Sequence, residues 1–463
     1  MSTAESYDHR PPRPLLVPPR PEPKPDTMST IRRMAAVRRS GINGWGKAAY
    51  EEDILKGRFL GQTNFIVNAP DAIRHVLIDN YENYTRTTIG IRVLRPILGS
   101  EGLLLSEGKA WKHQRRTLAP AFAPRAVSML VPHMHAAIDT SIAHLGQHVG
   151  EAVNLREAMQ QLTLDIAGRT MFSFSIDKYG PELRAFVMEY GTQLAQPYPL
   201  DLLLPLNWPS PQDFKRRRFR KRWTAFISKL IEERRKVGST AGAPRDLFDL
   251  MVAARDPETG VAFNDAQLGD QVSTMILAGH ETTATALFWA LYLLALDPVT
   301  QDEVAREALE VSASGELTLE KLKFARAVLD ETMRLYPPAF LIARAAAAPD
   351  VIAGKPVNKG DIILISPWIL HRHQKLWREP NAFDPHRFLT GTPPDRFAYL
   401  PFGVGPRVCI GAQFALTEAT LSLARLIASF RVELRSNEPV MPVGVVTTQP
   451  DHAPPFALSR RAH

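Results

Sequence analysis

Residues 402–411 read Phe402-Gly403-Val404-Gly405-Pro406-Arg407-Val408-Cys409-Ile410-Gly411 and contain the one cysteine of a 463-residue chain. Two glycines and a proline ahead of the cysteine predict a tight loop, and the apolar periodicity after Gly411 predicts a helix over 412–429. A thiolate just ahead of a helix is stabilised by the unpaired amide groups of the first turn and by the helix dipole, which makes it a metal ligand or a nucleophile. An inert buried cysteine is the plain alternative, because a free cysteine packs as a small apolar side chain. A single thiol excludes an intramolecular disulfide and a zinc site of several thiolates, and it predicts a reducing compartment, the cytoplasm.

Outward from that loop the periodicity is mostly helical, at 110–118, 127–145, 155–172, 214–236 and 322–335, with short extended pieces near 59–67, 351–352 and 362–365. The predicted fold class is mainly α with a minor β region. The longest apolar stretch, 265–296, is interrupted by His280, Glu281 and a cluster of threonines, which a lipid-facing helix would bury at large cost. A helix apolar on nearly all sides belongs through the centre of a large protein. Composition agrees: 45% hydrophobic and 22% charged residues exclude global disorder and a polytopic membrane protein. Eight prolines between Pro11 and Pro25 forbid helix there, so residues 1–28 are expected to be a proline-rich flexible tail, without an apolar run for a signal or an anchor, and 29–463 a single domain.

The formal charge of +8 suits nucleic acid, an anionic surface or an acidic protein alike. The basic run from Lys215 to Arg222 is read as a solvated helix face, with no nucleic-acid partner. Leu202-Leu203-Leu204 ahead of it leaves at most weak peripheral membrane contact. The pairs His371/His373 and His133/His135, two apart, fall on different helix faces and are read as structural.

The spacing Phe402-x-x-Gly405-x-Arg407-x-Cys409-x-Gly411 resembles the haem-ligand loop of the cytochrome P450 family. The resemblance implies that family's fold, with haem b (iron protoporphyrin IX) between the long central helix and the cysteine loop. It makes Cys409 the axial thiolate of the haem iron, Arg407 a partner of a haem propionate and Phe402 a shield for the sulfur. Gly405 and Gly411 would let the backbone come close. Glu331-x-x-Arg334 and the segment Phe383-Asp384-Pro385-His386-Arg387 resemble two further family elements, which implies a buried structural triad of Glu331, Arg334 and Arg387. Ala278-Gly279-His280-Glu281-Thr282-Thr283 is similar to the family's oxygen-activation pattern. By that likeness Gly279 opens the helix locally, Thr282 hydrogen-bonds dioxygen, Glu281 relays protons and His280 is structural. Trp111-x-x-x-Arg115 and Arg344 resemble propionate-binding positions. The substrate pocket is expected to draw on Arg86 to Leu105, on Met275 and Ala278, and on Phe340, Leu341 and Ile342.

The resemblance thus implies a haem-thiolate monooxygenase that uses O2 and two external electrons to hydroxylate an apolar small molecule. The short stretch after Cys409 leaves no room for a reductase domain. A separate ferredoxin or flavodoxin with its reductase is therefore expected, and an acidic carrier would suit Lys109, Lys112 and Arg116. Two other readings stay open. One is a non-catalytic haem protein that binds a ligand or a gas, which would not need Glu281 and Thr282; the other is a peroxygenase of the same fold.

Overall fold

A computed structural model describes residues 14–461 except 60, 174–178, 196, 197, 203, 207, 237–243, 316, 317 and 390–393. Leu203 of the apolar triplet and residues 1–13 of the proline-rich segment lie outside the described residues. The stretch around 265–296 forms one unbroken helix, Asp265–Leu296, started by a reciprocal cap: Gln267 N donates to Asn264 Oδ1 at 2.9 Å and Asn264 N to Gln267 Oε1 at 3.1 Å. From Thr283 to Leu294 every side chain is buried. Removing each of the large ones from water contributes about 1.5–3 kcal/mol before the entropy of ordering is counted. That burial comes from protein. Trp289 stacks on Tyr336 with ring centroids 4.0 Å apart and donates its indole N–H to Thr448 O at 2.7 Å. Among the described residues no single helix is long and apolar enough to cross a membrane.

Four helices lie against the central one or its flanks: Pro124–Gly146, Leu155–Phe172, Lys323–Leu335 and Ala412–Ser429. Their bounds follow the predicted periodicity closely, since each is read from a local stripe of apolar residues. The minor β region contains a five-stranded sheet of β1 (Ile54–Phe59), β2 (Gln62–Val67), β3 (Tyr84–Arg86), β4 (Ile342–Ala346) and β5 (Ile362–Ile365), in the order β1-β2-β5-β4-β3. Only β2 and β5 run parallel. The antiparallel register of β3 on β4 sets Arg86 directly opposite Arg344.

Residues 14–28 depart from the expected flexible tail. Leu16 O accepts from Phe383 N at 2.8 Å, Pro19 O accepts from the buried Tyr336 hydroxyl at 2.8 Å, and Lys24 N donates to Trp45 O at 2.9 Å. Proline-rich chain carries free carbonyls and little conformational entropy to lose, so a few donors from the domain suffice to seat it. The basic run also divides. Arg216 is buried in a 2.8 Å ion pair with Asp201, Arg220 pairs with Asp270 at 2.6 Å, and Lys215, Arg217, Arg218 and Lys221 face outward.

Candidate active site

A tight turn at Gly405–Arg407 carries the chain to Cys409, whose amide donates to Phe402 O at 2.9 Å and closes the loop. Gly405 adopts φ +78°, and a Cβ there would sit 2.2 Å from Leu77 O, so only glycine fits this close approach. The helix Ala412–Ser429 follows directly. Phe402 packs with Ala286, Met333 and Leu416 beside the thiol. Cys409 is deep in the protein, yet its side chain has accessible surface because it faces a cavity of about 570 Å³. Burial pushes the thiol up, while the Gly411 amide and Arg115 pull it down. The helix start therefore does not by itself make this sulfur a thiolate.

The central helix supplies another wall of the same cavity through Met275, Ala278, Gly279, Thr282 and Thr283. Gly279 does not open the helix, which continues regularly through it; a Cβ there would meet no protein atom within 4 Å. Gly411 is similar, its nearest protein atom being 3.9 Å from a built Cβ. Glycine at both places keeps cavity space clear. Thr282 Oγ1 donates to Ala278 O at 2.5 Å. Glu281 lies elsewhere than expected. Neighbouring helix positions diverge by about 100°, so with Thr282 on the cavity wall Glu281 turns to residues 447–449. There it accepts from Thr447 Oγ1 and Gln449 Nε2, both at 3.1 Å. Burial raises its carboxyl, against these two bonds and the charge of Arg156. His280 is buried, with Nε2 3.0 Å from Gln160 O, a structural tie between helices.

At the edge of the cavity the sheet register brings Arg86 against Arg344, and Arg407 joins them from the cysteine loop. Burial pushes the guanidinium groups of Arg86 and Arg344 down, helped by the charges of Arg344 and Arg407 on Arg86 and of Arg407 on Arg344. One carboxylate, Glu107, serves the cluster: it contacts Arg407 directly and lies 3.8 Å from Arg86 Nε. Like charges opposed across strands are destabilising, so three guanidiniums with one carboxylate form a site short of about two negative charges. Trp111 lies under Arg407, whose guanidinium is 4.4 Å from the ring centroid. Arg115 turns to the cysteine loop instead, with Nη1 2.8 Å from Val408 O. The sequence marks Arg86 only as the edge of a substrate segment. The alternation of Tyr84-Thr85-Arg86 signals a strand, but its partner is set 258 positions away.

Behind the cavity Glu331 and Arg334 meet in a two-pronged pair, Nε–Oε2 2.6 Å and Nη2–Oε1 2.8 Å, both fully buried. Arg387 Nε reaches Glu331 Oε1 at 3.2 Å. Of the expected substrate positions, Met275, Ala278, Leu341 and Ile342 line the cavity. Phe340 is buried away from it, and a Cβ on Gly41 would come within 2.8 Å of its ring. Ala167 and Met171, from Leu155–Phe172, complete the apolar wall and were not foreseen. His371 and His373 are buried in backbone contacts, Leu400 N donating to His371 Nε2 at 2.8 Å and His373 Nε2 lying 3.2 Å from Glu52 O.

Among the described residues no three His, Cys, Asp or Glu side chains gather to hold a metal. A metal here would have Cys409 as its protein ligand and would bring its other ligands with it. An iron in a macrocycle carrying two carboxylates meets both demands, the lone sulfur and the uncompensated arginines.

The sequence profile of the family described as Cytochrome P450 matches residues 48–453. The chain is 31% identical over 390 residues to the cyclooctat-9-en-7-ol 5-monooxygenase of Streptomyces melanosporofaciens, covering 82% of each. It is 34% identical over 371 residues to a cytokinin hydroxylase of Arabidopsis thaliana, covering 76% of this chain and 70% of that one. The fold is similar to that of the cytochrome P450DA haem domain, with a TM-score of 0.77 and 24% identity across 97% of this chain and 99% of the other.

Proposed function

The chain belongs to the cytochrome P450 family and is an oxidoreductase of the monooxygenase type, and from that premise we propose that it hydroxylates an apolar small molecule with two electrons from a separate carrier. The observation that carries the proposal is one apolar cavity whose wall holds both the Cys409 sulfur and the Thr282 hydroxyl. Haem b, when bound, supplies the activation of dioxygen and the insertion of one oxygen atom.

The chain's own residues would divide the remaining work. Cys409 ligates the iron, and Arg86, Arg344 and Arg407 hold the two carboxylates in charge-assisted bonds. Leu94, Met275, Leu341 and the facing helix exclude water and bind the substrate by apolar contact. Thr282 holds a proton at Oγ1. Its hydroxyl is committed to Ala278 O, so it must swing from that carbonyl before donating into the cavity.

An acidic ferredoxin or flavodoxin remains the proposed carrier, with a narrower docking set. Arg116 is locked by Asp256 (2.9 Å) and Glu258 (2.7 Å), whereas Lys109 is exposed and Lys112 pairs with the exposed Glu82. A cytoplasmic location belongs to the same proposal, supported by the single thiol. Peripheral membrane contact is proposed to be weak at most, through the outward cations of the basic run.

The test supplies purified haem protein with a ferredoxin and reductase, then with peroxide alone, across a panel of apolar compounds that shift its spectrum. Hydroxylated product that needs reductant and O2 supports the proposal. Product from peroxide alone would make it a peroxygenase, and spectral binding without product under either condition would make it a ligand binder.

A further inference from the structure

We propose that the seated proline segment closes a binding site for a phosphate-type oxyanion, inorganic phosphate or the head of a phosphomonoester, between Arg20 of that segment and Arg372 of the domain. The two arginines line a cavity of about 290 Å³ that shares no lining residue with the large one beside Cys409. Lys47 and Tyr50, the ends of a short helix Lys47–Tyr50, and Trp368 stand on the same wall. Arg372 is 3% exposed. Its guanidinium lies 3.8 Å from the centroid of the Trp368 ring, Nη1 donates to Trp368 O at 3.4 Å and Nη2 donates to Leu335 O. Nε is left over. It is buried without a partner, and among the described residues no carboxylate pairs with this cation. A buried charge without a counter-charge is costly, and in such surroundings its attraction for an anion is strong.

Arg20 repeats the pattern from the proline segment. Its Nη1 pairs with the exposed Glu22 at 3.1 Å, but its Nε is buried without a partner. Tyr50 accepts from Trp368 Nε1 at 3.1 Å, and among the described residues its own O–H proton has no acceptor. Glu22 answers Arg20, and Glu51, 3.8 Å from Lys47 Nζ, answers Lys47; the charge of Arg372 stays unanswered. Burial lowers Arg372 to about 9; Tyr336 and Tyr50 oppose that, and the nearby charges of Arg334 and Arg20 add to it. An anion between Arg20 and Arg372 cancels their repulsion. Three donors on one cavity, Arg372 Nε, Arg20 Nε and the Tyr50 hydroxyl, exceed the two coplanar oxygens of a carboxylate and suit the tetrahedral oxygens of a phosphate group. Arg20 follows Pro19, whose carbonyl accepts from the Tyr336 hydroxyl, so the site is complete only while the segment is seated, and anion binding favours seating.

Isothermal titration of the full-length holoprotein at fixed ionic strength, with inorganic phosphate, with glycerol phosphate and with acetate, tests the site. Saturable binding of one phosphate-type anion per chain, about tenfold tighter than acetate, is expected; the tighter of the first two shows whether the free ion or an ester is the ligand. No saturable binding of either, or acetate binding as tightly, overturns the proposal. Arg20→Gln should weaken the affinity about tenfold and Tyr50→Phe several-fold, with haem content unchanged. Lys24→Gln, on the same segment but off the cavity wall, should bind as wild type does. Wild-type affinity in Arg20→Gln overturns the site, and so does an equal loss in Lys24→Gln, which would mark a diffuse charge effect. Arg372→Gln should abolish binding; if that variant does not fold, Arg20→Gln and Tyr50→Phe decide the point, since both change the cavity wall and leave the buried cation in place. Saturating phosphate should also raise the melting temperature of wild type more than that of Arg20→Gln, and an equal rise in both overturns the link to the seated segment.

Discussion

Replacing Glu331 with glutamine keeps the side chain's shape and removes the one negative charge at the centre of the structural triad. Glu331 accepts from Arg334 Nε at 2.6 Å, Arg334 Nη2 at 2.8 Å, Arg387 Nε at 3.2 Å and Asp384 N at 2.8 Å. In the variant an amide N–H would face guanidinium N–H groups, and Arg334, fully buried, would keep its charge. Breaking a buried pair in this way costs roughly 3–5 kcal/mol. Arg334 still donates to the carbonyls of His371, Pro380 and Ala382 at 2.8, 2.7 and 2.8 Å, which places the cost near the lower end, about 3 kcal/mol. An unfolding entropy of about 2.1 cal/mol/K per residue gives the whole chain roughly 1 kcal/mol/K, so the melting temperature should fall by about 3 °C if the chain unfolds as one unit. Thermal unfolding followed together by far-UV circular dichroism and by haem absorbance reads both the shift and the loss of cofactor. Arg387→Met is the control: Glu331 keeps Arg334, and the expected cost is about 1 kcal/mol. In the double variant one stranded cation is gone, so its cost should be less than the sum of the two. A Glu331→Gln protein with wild-type melting temperature and haem content would refute the reasoning.

Cys409→Ser should abolish the red-shifted Soret band of the reduced carbonyl complex, and a retained thiolate spectrum would show that another group ligates the iron. Thr282→Ala should keep haem and substrate binding while a larger share of reducing equivalents appears as hydrogen peroxide; unchanged coupling, measured as product per NADPH, would remove the hydroxyl from the proton path. Burial pushes Asp350 up, but hydrogen bonds from Tyr84, His75, the Val351 amide and Asn80 outweigh it and hold the carboxyl at about 2. A depressed folded value stabilises above the unfolded one, so Asp350 contributes about 2 kcal/mol above roughly pH 5 and about half of that near pH 3. Urea unfolding of wild type and Asp350→Asn at the two pH values should show the gap between them narrowing as pH falls, and a constant gap would contradict this.

The sequence by itself determined the helical class, the central helix and the cysteine loop, because each depends on residues close in the chain. A stripe of apolar positions marks a helix wherever it packs, and a cap such as Asn264 with Gln267 needs only its own first turn. The spacing from Phe402 to Gly411 is of the same kind, since the loop's geometry is written in ten consecutive residues. Glu331 and Arg334 were legible as a pair for that reason, being one turn apart on one helix. Tertiary structure decided what those elements face. Sheet register alone set Arg86 against Arg344, and the roll of the central helix turned Thr282 to the cavity and Glu281 to Thr447 and Gln449. Phe340 turned inward to Gly41 because an irregular loop carries no period from which its facing could be read. The proline segment showed only that it could not be helix; Phe383, Tyr336 and Trp45 supplied the partners that seat it. Glu418 reads as an ordinary glutamate in a helical run, and only the packing of two helices against one cavity leaves it buried on the cavity wall.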